Sequence, residues 1–380
     1  MTFFQEFELV LGAALVILVL HDVFQGVVVP RWSSRRGRIA PMLIDKMWPL
    51  WRRIAERKPA GDEREDWLGT YAPLALMLIL IIWVALLTLG VGLVFWSLRV
   101  HFKPNLHSFG EALYVAGVTI LTIGYGDYTP TEPMARIFVL IAGASGLAVF
   151  ALVISLLFTL YQAFERREVL TLQLDARAGS PPSGVTLLER FSQLGLLDTL
   201  PEFFGQWEAW SAQVLQSHIA YPILPFFRSS HDHESWIASL GAVLDSATLL
   251  ITTIEVCQNC GRKPIGSAQL MFRLGTHTVV DLSHWFGFRF DESASPPVGV
   301  ERSEFDAARA RLAKAGFALR EAEESWREFS EKRAQYAAGL NELAKHFAAP
   351  PAQWVGDRSM LDMNHRAPKR RVRKPLQIGR

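Results

Sequence analysis

The sequence is poor in cysteine: it has two, Cys257 and Cys260, among 380 residues. A zinc site built on this pair would need His277 or His284 as a further ligand, and a redox pair would need a thioredoxin-like context. Neither a second cysteine pair nor that context is present, so we interpret both cysteines as reduced, structural residues. The metal-like tetrapeptide at 231–234 precedes a helix start and is interpreted as a solvated loop.

Several ligand-binding and catalytic motifs are also missing from the sequence. No predicted strand leads into the Gly-x-Gly-x-x-Gly pattern of a nucleotide-binding domain, since Gly90 and Gly92 lie inside a long apolar run. No succession of short strands indicates a cyclic-nucleotide barrel, and no nucleophile is arranged with a base. We expect no enzyme, no cofactor and no nucleic-acid partner.

Long apolar runs are what the sequence has in excess. Of all residues, 50% are hydrophobic. The runs at 9–29, 72–98 and 135–161 each exceed the roughly 18 residues that cross a bilayer. A fourth stretch, 236–256, carries Asp245 at its centre together with serines and threonines, which favours a buried helix of a soluble bundle. The sequence therefore predicts an all-α membrane protein with three transmembrane helices.

The basic residues predict how the chain crosses the membrane. Residues 1–8 contain no Lys or Arg, whereas the loop after the first run is strongly basic and the third run ends at Arg166 and Arg167. The loop after the second run has only Arg99 and Lys103. We expect a multi-pass protein of the cell (inner or plasma) membrane, with the N-terminus outside and the C-terminal half in the cytosol. Without a positive region at 1–8, no cleavable signal peptide is expected.

A glycine-rich segment lies between the second and third runs and consists of Thr122, Ile123, Gly124, Tyr125, Gly126 and Asp127. An ion that enters a membrane pore loses water and needs oxygen atoms to replace it. A strand can turn all its carbonyls to one side only if its backbone twists alternate, with half of them at positive φ. Gly124 and Gly126 supply those twists without a Cβ penalty. The segment is therefore suited to line an ion pore.

A short apolar helix is predicted immediately before this segment. Ser108 and Glu111 form a capping box at its start, and the helix would end near Leu121, which is too short to span a bilayer. The negative end of its dipole would point toward the ion path, as a re-entrant pore helix requires.

The apolar runs, the short helix and the glycine-rich segment at 72–165 together resemble the two-helix pore module of potassium channels. The glycine-rich segment then corresponds to the selectivity filter, with K⁺ as the transported ion. The resemblance implies that carbonyl rings bind K⁺ at Thr122, Ile123, Gly124 and Tyr125. Gly126 and Asp127 would complete the filter at its outer face, and Tyr114 would brace it.

The third run would be the inner helix of this module. In the family, many members have a hinge glycine at the place of Gly146, and Gly143 lies one turn earlier. Phe150, Ile154 and Phe158 follow Gly146 at four-residue steps, so they are predicted to share its face, line the cavity and form the inner gate. The glycines could instead serve close helix packing, and both roles are compatible.

The chain departs from voltage-gated and two-pore potassium channels. One helix precedes the pore module, and it lacks the arginine ladder of a voltage sensor. The chain has a single filter, and four filter strands are needed to close a ring, so we expect a homotetramer. Two other functions stay open: a pore-loop cation transporter subunit, and a membrane-anchored signalling or partner-binding protein with a vestigial pore.

Two features near the first run have more than one interpretation. In the first transmembrane helix (1–30), His21 and Asp22 could form a gating switch, although we favour a pair that pins this helix to its neighbours. In the basic loop (31–71), residues 39–54 are typical of an interfacial amphipathic helix. This helix could act as a lever on the pore, although we favour a helix that only anchors the chain to the lipid bilayer. The apolar positions of that helix are Ile39, Leu43, Met47, Leu50 and Ile54.

The C-terminal half is predicted to be a helical cytosolic domain. A linker at 166–185 would join the inner helix to a domain at 186–350, and a basic tail at 351–380 would follow. Residues 304–347 carry a heptad pattern that predicts one long helix. Because Arg333 and bulky aromatic residues lie on its seam, we favour packing within the subunit over a tetramerising coiled coil. The gating stimulus and any cytosolic ligand are open.

Overall fold

The computed structural model describes residues 2–29, 39–59, 61–229, 235–255, 263–288 and 300–355. The predicted fold class is confirmed, because the described chain is almost entirely α-helical and three of its helices are long and apolar enough to cross a membrane. These three helices are Phe3–Val27, Glu63–Ser97 and Pro133–Ala178. The second of them is interrupted by a turn at Thr70 and is divided there into two helices below.

The helices of the described residues are, in chain order, α1 (Phe3–Val27), α2 (Ile39–Glu56), α3 (Asp62–Gly69), α4 (Tyr71–Ser97), α5 (Phe109–Ile120), α6 (Pro133–Ala178), α7 (Gly184–Gln193), α8 (Leu200–Ala220), α9 (Trp236–Thr252), α10 (Lys263–Trp285), α11 (Arg302–Lys314) and α12 (Ala322–His346). Short 3₁₀ turns lie at Arg99–His101, Leu197–Thr199 and Leu224–Phe226. Two short strands, β1 (Phe102–Lys103) and β2 (Thr129–Pro130), pair antiparallel, with Phe102 opposite Pro130.

The chain divides into two compact units. The membrane unit comprises Met1–Ile54, Thr70–Phe164 and Ala220–Phe227, and the helical unit comprises Ala55–Gly69, Glu165–Ile219 and Arg228–Arg380. Two short pieces differ from the division expected from the sequence. Ala55–Gly69 groups with the helical unit instead of the basic loop, and Ala220–Phe227 groups with the membrane unit.

The structure corrects the linker predicted at 166–185, because α6 continues as a helix to Ala178. The buried residues of this extension recur at helical spacing and are Arg167, Thr171, Leu174 and Ala178. One face of the extension is therefore packed against protein, which stabilises the helix beyond its apolar part. Residues 179–183 alone separate α6 from α7.

Helix α1 packs along α4 in the membrane unit. Midway along the pair, a Cβ added to Gly12 would lie 2.6 Å from the Gly90 carbonyl oxygen, so the two backbones approach closely there. Near the start of α1, Glu8 forms an ion pair with Arg99 at 3.2 Å, just after α4. Small residues at the crossing are typical of membrane helices that pack by backbone approach.

Asp22 provides the third contact between these helices. Its buried carboxylate accepts a hydrogen bond from Trp83 Nε1 at 2.8 Å and one from the backbone N–H of Ile39 at 3.1 Å. His21 beside it is exposed. Asp22 therefore pins α1 to α4 and to the start of α2, which agrees with the packing interpretation of the pair.

Helix α2 has one face buried against protein. The Trp48 ring lies 4.9 Å from the rings of both Tyr71 and Phe226, and the Tyr71 hydroxyl donates to the carbonyl oxygen of Ile44 at 2.8 Å. The apolar positions predicted to meet the membrane interface lie on other faces, and they are half-buried or, at Leu50, exposed. Their contact with lipid stays a prediction.

Helix α9 is the core of the helical unit. Its residues are buried along almost the whole helix, mainly by α7, α10 and α12, as expected for a bundle helix rather than a fourth span. Arg333 Nε lies 3.1 Å from Asp245 Oδ1, and the Tyr336 hydroxyl donates to the same oxygen at 2.6 Å. Burial raises the pKa of Asp245, and Arg333 opposes that shift. The buried carboxylate is thus satisfied by two partners.

The single helix predicted at 304–347 is wrong. Helix α11 ends at Lys314, Gly316 has a φ of 93°, and Glu321 caps the start of α12. Phe305 packs against Trp326 at 5.2 Å, so the two helices fold back on each other. The residues of the heptad seam that are buried within the chain are Phe305, Ala308, Leu312, Phe329, Arg333, Tyr336, Leu340, Leu343 and Phe347. This burial agrees with the favoured packing within the subunit.

Several predicted features lie outside the described residues. They are Cys257 and Cys260, the tetrapeptide at 231–234, the arginines of 31–38 and residues 356–380 of the tail predicted at 351–380. The predicted start of that tail is wrong, because residues 352–355 are buried within the fold.

His218 is buried at the end of α8 beside a cation. Arg167 Nη1 donates to His218 Nε2 at 3.4 Å, and Ser217 Oγ lies 3.1 Å from Nδ1. Trp236 packs its ring 4.9 Å from the imidazole, and Glu168 pairs with Arg167 at 3.0 Å. Burial holds the pKa of His218 well below its usual value, and the charge of Arg167 lowers it further. The imidazole is therefore neutral in the folded chain.

We expect acid to destabilise the fold through His218. The unfolded imidazole binds a proton below about pH 6.5 while the buried one does not, so stability is full above that pH and decreases by about 1.4 kcal/mol per pH unit below it, down to the folded pKa. The midpoint of thermal unfolding should therefore fall less steeply for His218→Gln than for the parent between about pH 7 and pH 5.

The matched control is His277→Gln. His277 is exposed on α10, and its surface pair with Asp281 is screened by solvent and contributes little to stability. This variant should therefore lack the reduced slope expected for His218→Gln. If His218→Gln has the same slope as the parent, His218 is not the group that couples pH to stability.

Candidate functional site

Helix α5 is the short helix that the sequence predicts before the glycine-rich segment, and it has 12 residues. Ser108 Oγ accepts from the backbone N–H of Glu111 at 3.2 Å, which is half of the predicted capping box. The Glu111 carboxylate accepts from the N–H of His107 at 2.8 Å, one residue earlier than predicted. This bond is the main cause that lowers the pKa of Glu111. The helix packs against α4.

The glycine-rich segment, residues 122–127, leaves α5 as an irregular strand. Its φ is positive at alternate residues: 55° at Thr122, 65° at Gly124 and 78° at Gly126. A strand needs such an alternation if its carbonyls are to face one side, and the positive φ predicted at both glycines is found. A Cβ on either glycine would meet no atom within 4 Å. Backbone conformation, rather than crowding, is therefore what requires glycine.

The side chains of this segment are uncovered in the single chain. Every residue of 122–127 is exposed, and Tyr125 is 70% exposed. Two backbone bonds attach the segment to α5, from Thr122 to the Thr119 carbonyl at 3.1 Å and from Ile123 to the Val118 carbonyl at 2.9 Å.

Tyr114 of α5 and Tyr128 lie at the far end of the segment, where their rings are 6.4 Å apart, edge to face. Interaction with the Asp127 carboxylate raises the pKa of Tyr114. Burial raises the pKa of Tyr128, and the charge of Glu111 raises it further. Tyr114 is therefore close to the end of the segment, and its role as a brace stays a prediction. The influence of Glu111 on Tyr128 was not predicted from the sequence, because Glu111 was interpreted as a capping residue alone.

The strand pair β1–β2 connects the chain before α5 to the chain after the segment. The Thr131 N–H also donates to the His101 carbonyl at 2.9 Å. Phe102 of β1 is buried, and its ring packs 5.4 Å from the ring of Phe95 in α4. The end of the glycine-rich segment is thereby fixed to the end of α4.

Of the two glycines in α6, Gly146 lies closer to α5 than Gly143 does. A Cβ on Gly146 would lie 2.3 Å from the Ile120 carbonyl oxygen, whereas a Cβ on Gly143 would find its nearest neighbour, Thr119 Cγ2, at 3.8 Å. Gly146 therefore allows α6 to pack closely against α5. Helix α6 passes both glycines without a break, so a hinge at Gly143 or Gly146 stays a prediction.

The predicted gate residues lie on a different face of α6 from Gly146. Ile154 and Phe158 are exposed and Phe150 is half-buried, while Gly146 is buried. The prediction of one shared face is wrong, because each four-residue step turns the helix by about 40° beyond a full turn and three steps add about 120°. Ile154 and Phe158 do share an exposed face of the apolar part of α6.

Comparison with known families gives one match in this region. Residues 75–163 match the family described as "Ion channel", and they contain most of α4, all of α5, the glycine-rich segment and the apolar part of α6. The match supports an ion channel, and it points to a channel rather than an enzyme. It does not specify the ion.

A similar curated protein is the "Uncharacterized membrane protein YdjJ" of Bacillus subtilis (strain 168). The two are 28% identical over 233 residues, which cover 57% of this chain and 61% of the relative. The chain thus spans less than two thirds of that relative's length. No solved structure matches. The relative, the family match and the three apolar helices together support a location in a membrane.

Exchanging each α6 glycine for alanine tests the packing at α5. Gly146→Ala places a methyl group against the Ile120 carbonyl, so α6 must move away, at a cost of about 1–3 kcal/mol for an overpacked contact. We expect a lower midpoint of thermal unfolding for the detergent-solubilised protein. Gly143→Ala is the matched control and should leave the midpoint unchanged or slightly raised. Equal effects of the two exchanges would contradict the close approach at Gly146.

Proposed function

We propose that the chain is a subunit of a potassium-selective channel that conducts K⁺ passively. The observation that carries the proposal is the alternating positive φ at Thr122, Gly124 and Gly126, in a segment attached to a short helix between two apolar spans. K⁺ would be bound by carbonyl oxygens of Thr122, Ile123, Gly124 and Tyr125 in place of its water. Gly126 and Asp127 would end the filter.

The proposal includes a homotetramer. One filter strand supplies one side of an ion site, and rings of carbonyls need several strands around a common axis. The exposed filter residues of the single chain support this, since Tyr125 and Ile123 would otherwise lie uncovered. Four copies would bury them against each other and close the pore.

The proposed gate lies on α6. Ile154 and Phe158 are large, apolar and exposed on one face of the helix, which suits a constriction that closes by excluding water. Phe150 lies next to this face, and Gly143 or Gly146 would be the hinge. Movement at Gly146 would have to break its contact with Ile120, so Gly143, with its looser neighbours, is the better place for a bend.

The proposed topology follows the distribution of basic residues. The filter end of the pore module (72–165) would face outside together with the N-terminus, and the helical unit would lie in the cytosol, where it could regulate the pore. A ligand of the helical unit would change conduction only by favouring one state of the pore over the other.

Replacing one filter glycine tests the function. Gly124→Ala puts a Cβ on a residue with a φ of 65°, a conformation that costs non-glycine residues about 1–2 kcal/mol each, and this strain would recur in every subunit. We expect reconstituted Gly124→Ala to lose K⁺-selective current.

The control variant is Gly117→Ala. Gly117 lies in α5, and a Cβ there would meet its nearest neighbour at an ordinary 3.8 Å, so this variant should conduct selectively. If Gly124→Ala selects K⁺ over Na⁺ as well as the parent does, residues 122–127 are not the filter.

A further inference from the structure

A short piece of the C-terminal half of the chain, Ala220–Phe227, belongs to the membrane unit. We call it the clasp. It lies between α8 and α9, carries no charged residue, and contains two prolines and two phenylalanines. A 3₁₀ turn at Leu224–Phe226 makes it compact, and its residues from Pro222 to Phe226 are buried. A charge-free, buried segment of this kind is held by packing.

Phe226 attaches the clasp to α2 and α4. Its ring lies 4.9 Å from Trp48 and 5.2 Å from Tyr71, and the rings of Trp48 and Tyr71 themselves lie 4.9 Å apart. Three mutually packed aromatic rings fix both the position and the orientation of the segment. Since Phe226 is almost fully buried, this end of the clasp is a fixed point of the membrane unit.

The next residue, Phe227, contacts α6. Its ring lies 5.7 Å from that of Phe164. Phe164 follows the proposed gate residue Phe158 by six positions, which is about 9 Å along a helix axis. The clasp therefore connects the fixed cluster at Trp48 to the part of α6 that directly follows the proposed gate.

The residue after that, Arg228, is anchored within the helical unit. It donates to the carbonyl oxygens of Phe347 and Ala348 at 2.6 and 2.9 Å and forms an ion pair with Glu65 at 3.4 Å. Phe347 and Ala348 directly follow the last residue of α12, where backbone carbonyls are available to side-chain donors. Two consecutive residues of one chain, Phe227 and Arg228, are thus held by α6 and by the end of α12.

We propose that the clasp is a positioning element for conduction, and that Phe227 holds the stretch of α6 that follows the proposed gate through its ring contact with Phe164. The inference rests on the proposed function for its effect on current. The contact that carries it does not depend on which ion passes.

The test is a double-mutant cycle on the full-length, reconstituted chain. Phe227→Ala and Phe164→Ala each remove one half of the ring contact, and both residues are half-buried, so folding should survive. We expect each variant to shift the ratio of open to closed channel in the same direction, by roughly twofold to tenfold per subunit for an aromatic pair. The double variant should match the single ones, and K⁺ selectivity should stay that of the parent.

Phe227→Leu and Phe317→Ala are the controls. Leucine keeps an apolar contact and should restore part of the parent ratio, whereas Phe317 is a half-buried phenylalanine of the turn between α11 and α12, and its loss should leave the ratio unchanged. Additive effects in the double variant, or single variants that gate like the parent, would overturn the positioning role.

A second measurement separates this inference from the proposed function. Hydrogen exchange of the α6 amides at 158–164 reports how firmly this stretch of the helix is held, whether or not the protein conducts. Phe227→Ala should speed exchange there by several-fold, and Phe317→Ala should not. If the parent passes no K⁺, the proposed function fails, and the exchange result alone decides the clasp: unchanged exchange in Phe227→Ala overturns it.

Discussion

A backbone that alternates into positive φ at Thr122, Gly124 and Gly126 cannot form a regular helix or sheet, so it must be held by its surroundings. Other parts of the membrane unit hold the segment at both of its ends. At the start of the segment, α6 packs against the end of α5 through Gly146. At its far end, Tyr114 of α5 interacts with Asp127 and packs its ring edge to face against that of Tyr128.

Parts of the structure farther from the segment are held by contacts of their own. Helix α1 is attached to α4 by a glycine crossing and by the buried carboxylate of Asp22, and neither contact reaches the glycine-rich segment. The helical unit has a separate core, in which Asp245 and Arg333 are buried together. Each unit thus has its own source of stability.

Features that depend only on residues close together in the sequence were predicted correctly. Apolar length gave three spans, and glycine at Gly124 and Gly126 gave the positive φ. The break at Gly316 was missed because the heptad pattern continues across it, and the α6 extension was missed because charged residues end the apolar run. At the candidate site, the positive φ of both glycines was predicted, whereas the influence of Glu111 on Tyr128 was not. Contacts such as Trp48 with Phe226 join distant parts of the chain, and no pattern of spacing reports them.

The most direct test of the account is the reversal potential of the purified chain in a planar bilayer with opposed K⁺ and Na⁺ gradients. A filter of backbone carbonyls should set that potential close to the equilibrium potential of K⁺. A reversal potential near the value for equal permeability to both ions, or the absence of any current, would contradict the assignment of residues 122–127 as a potassium filter.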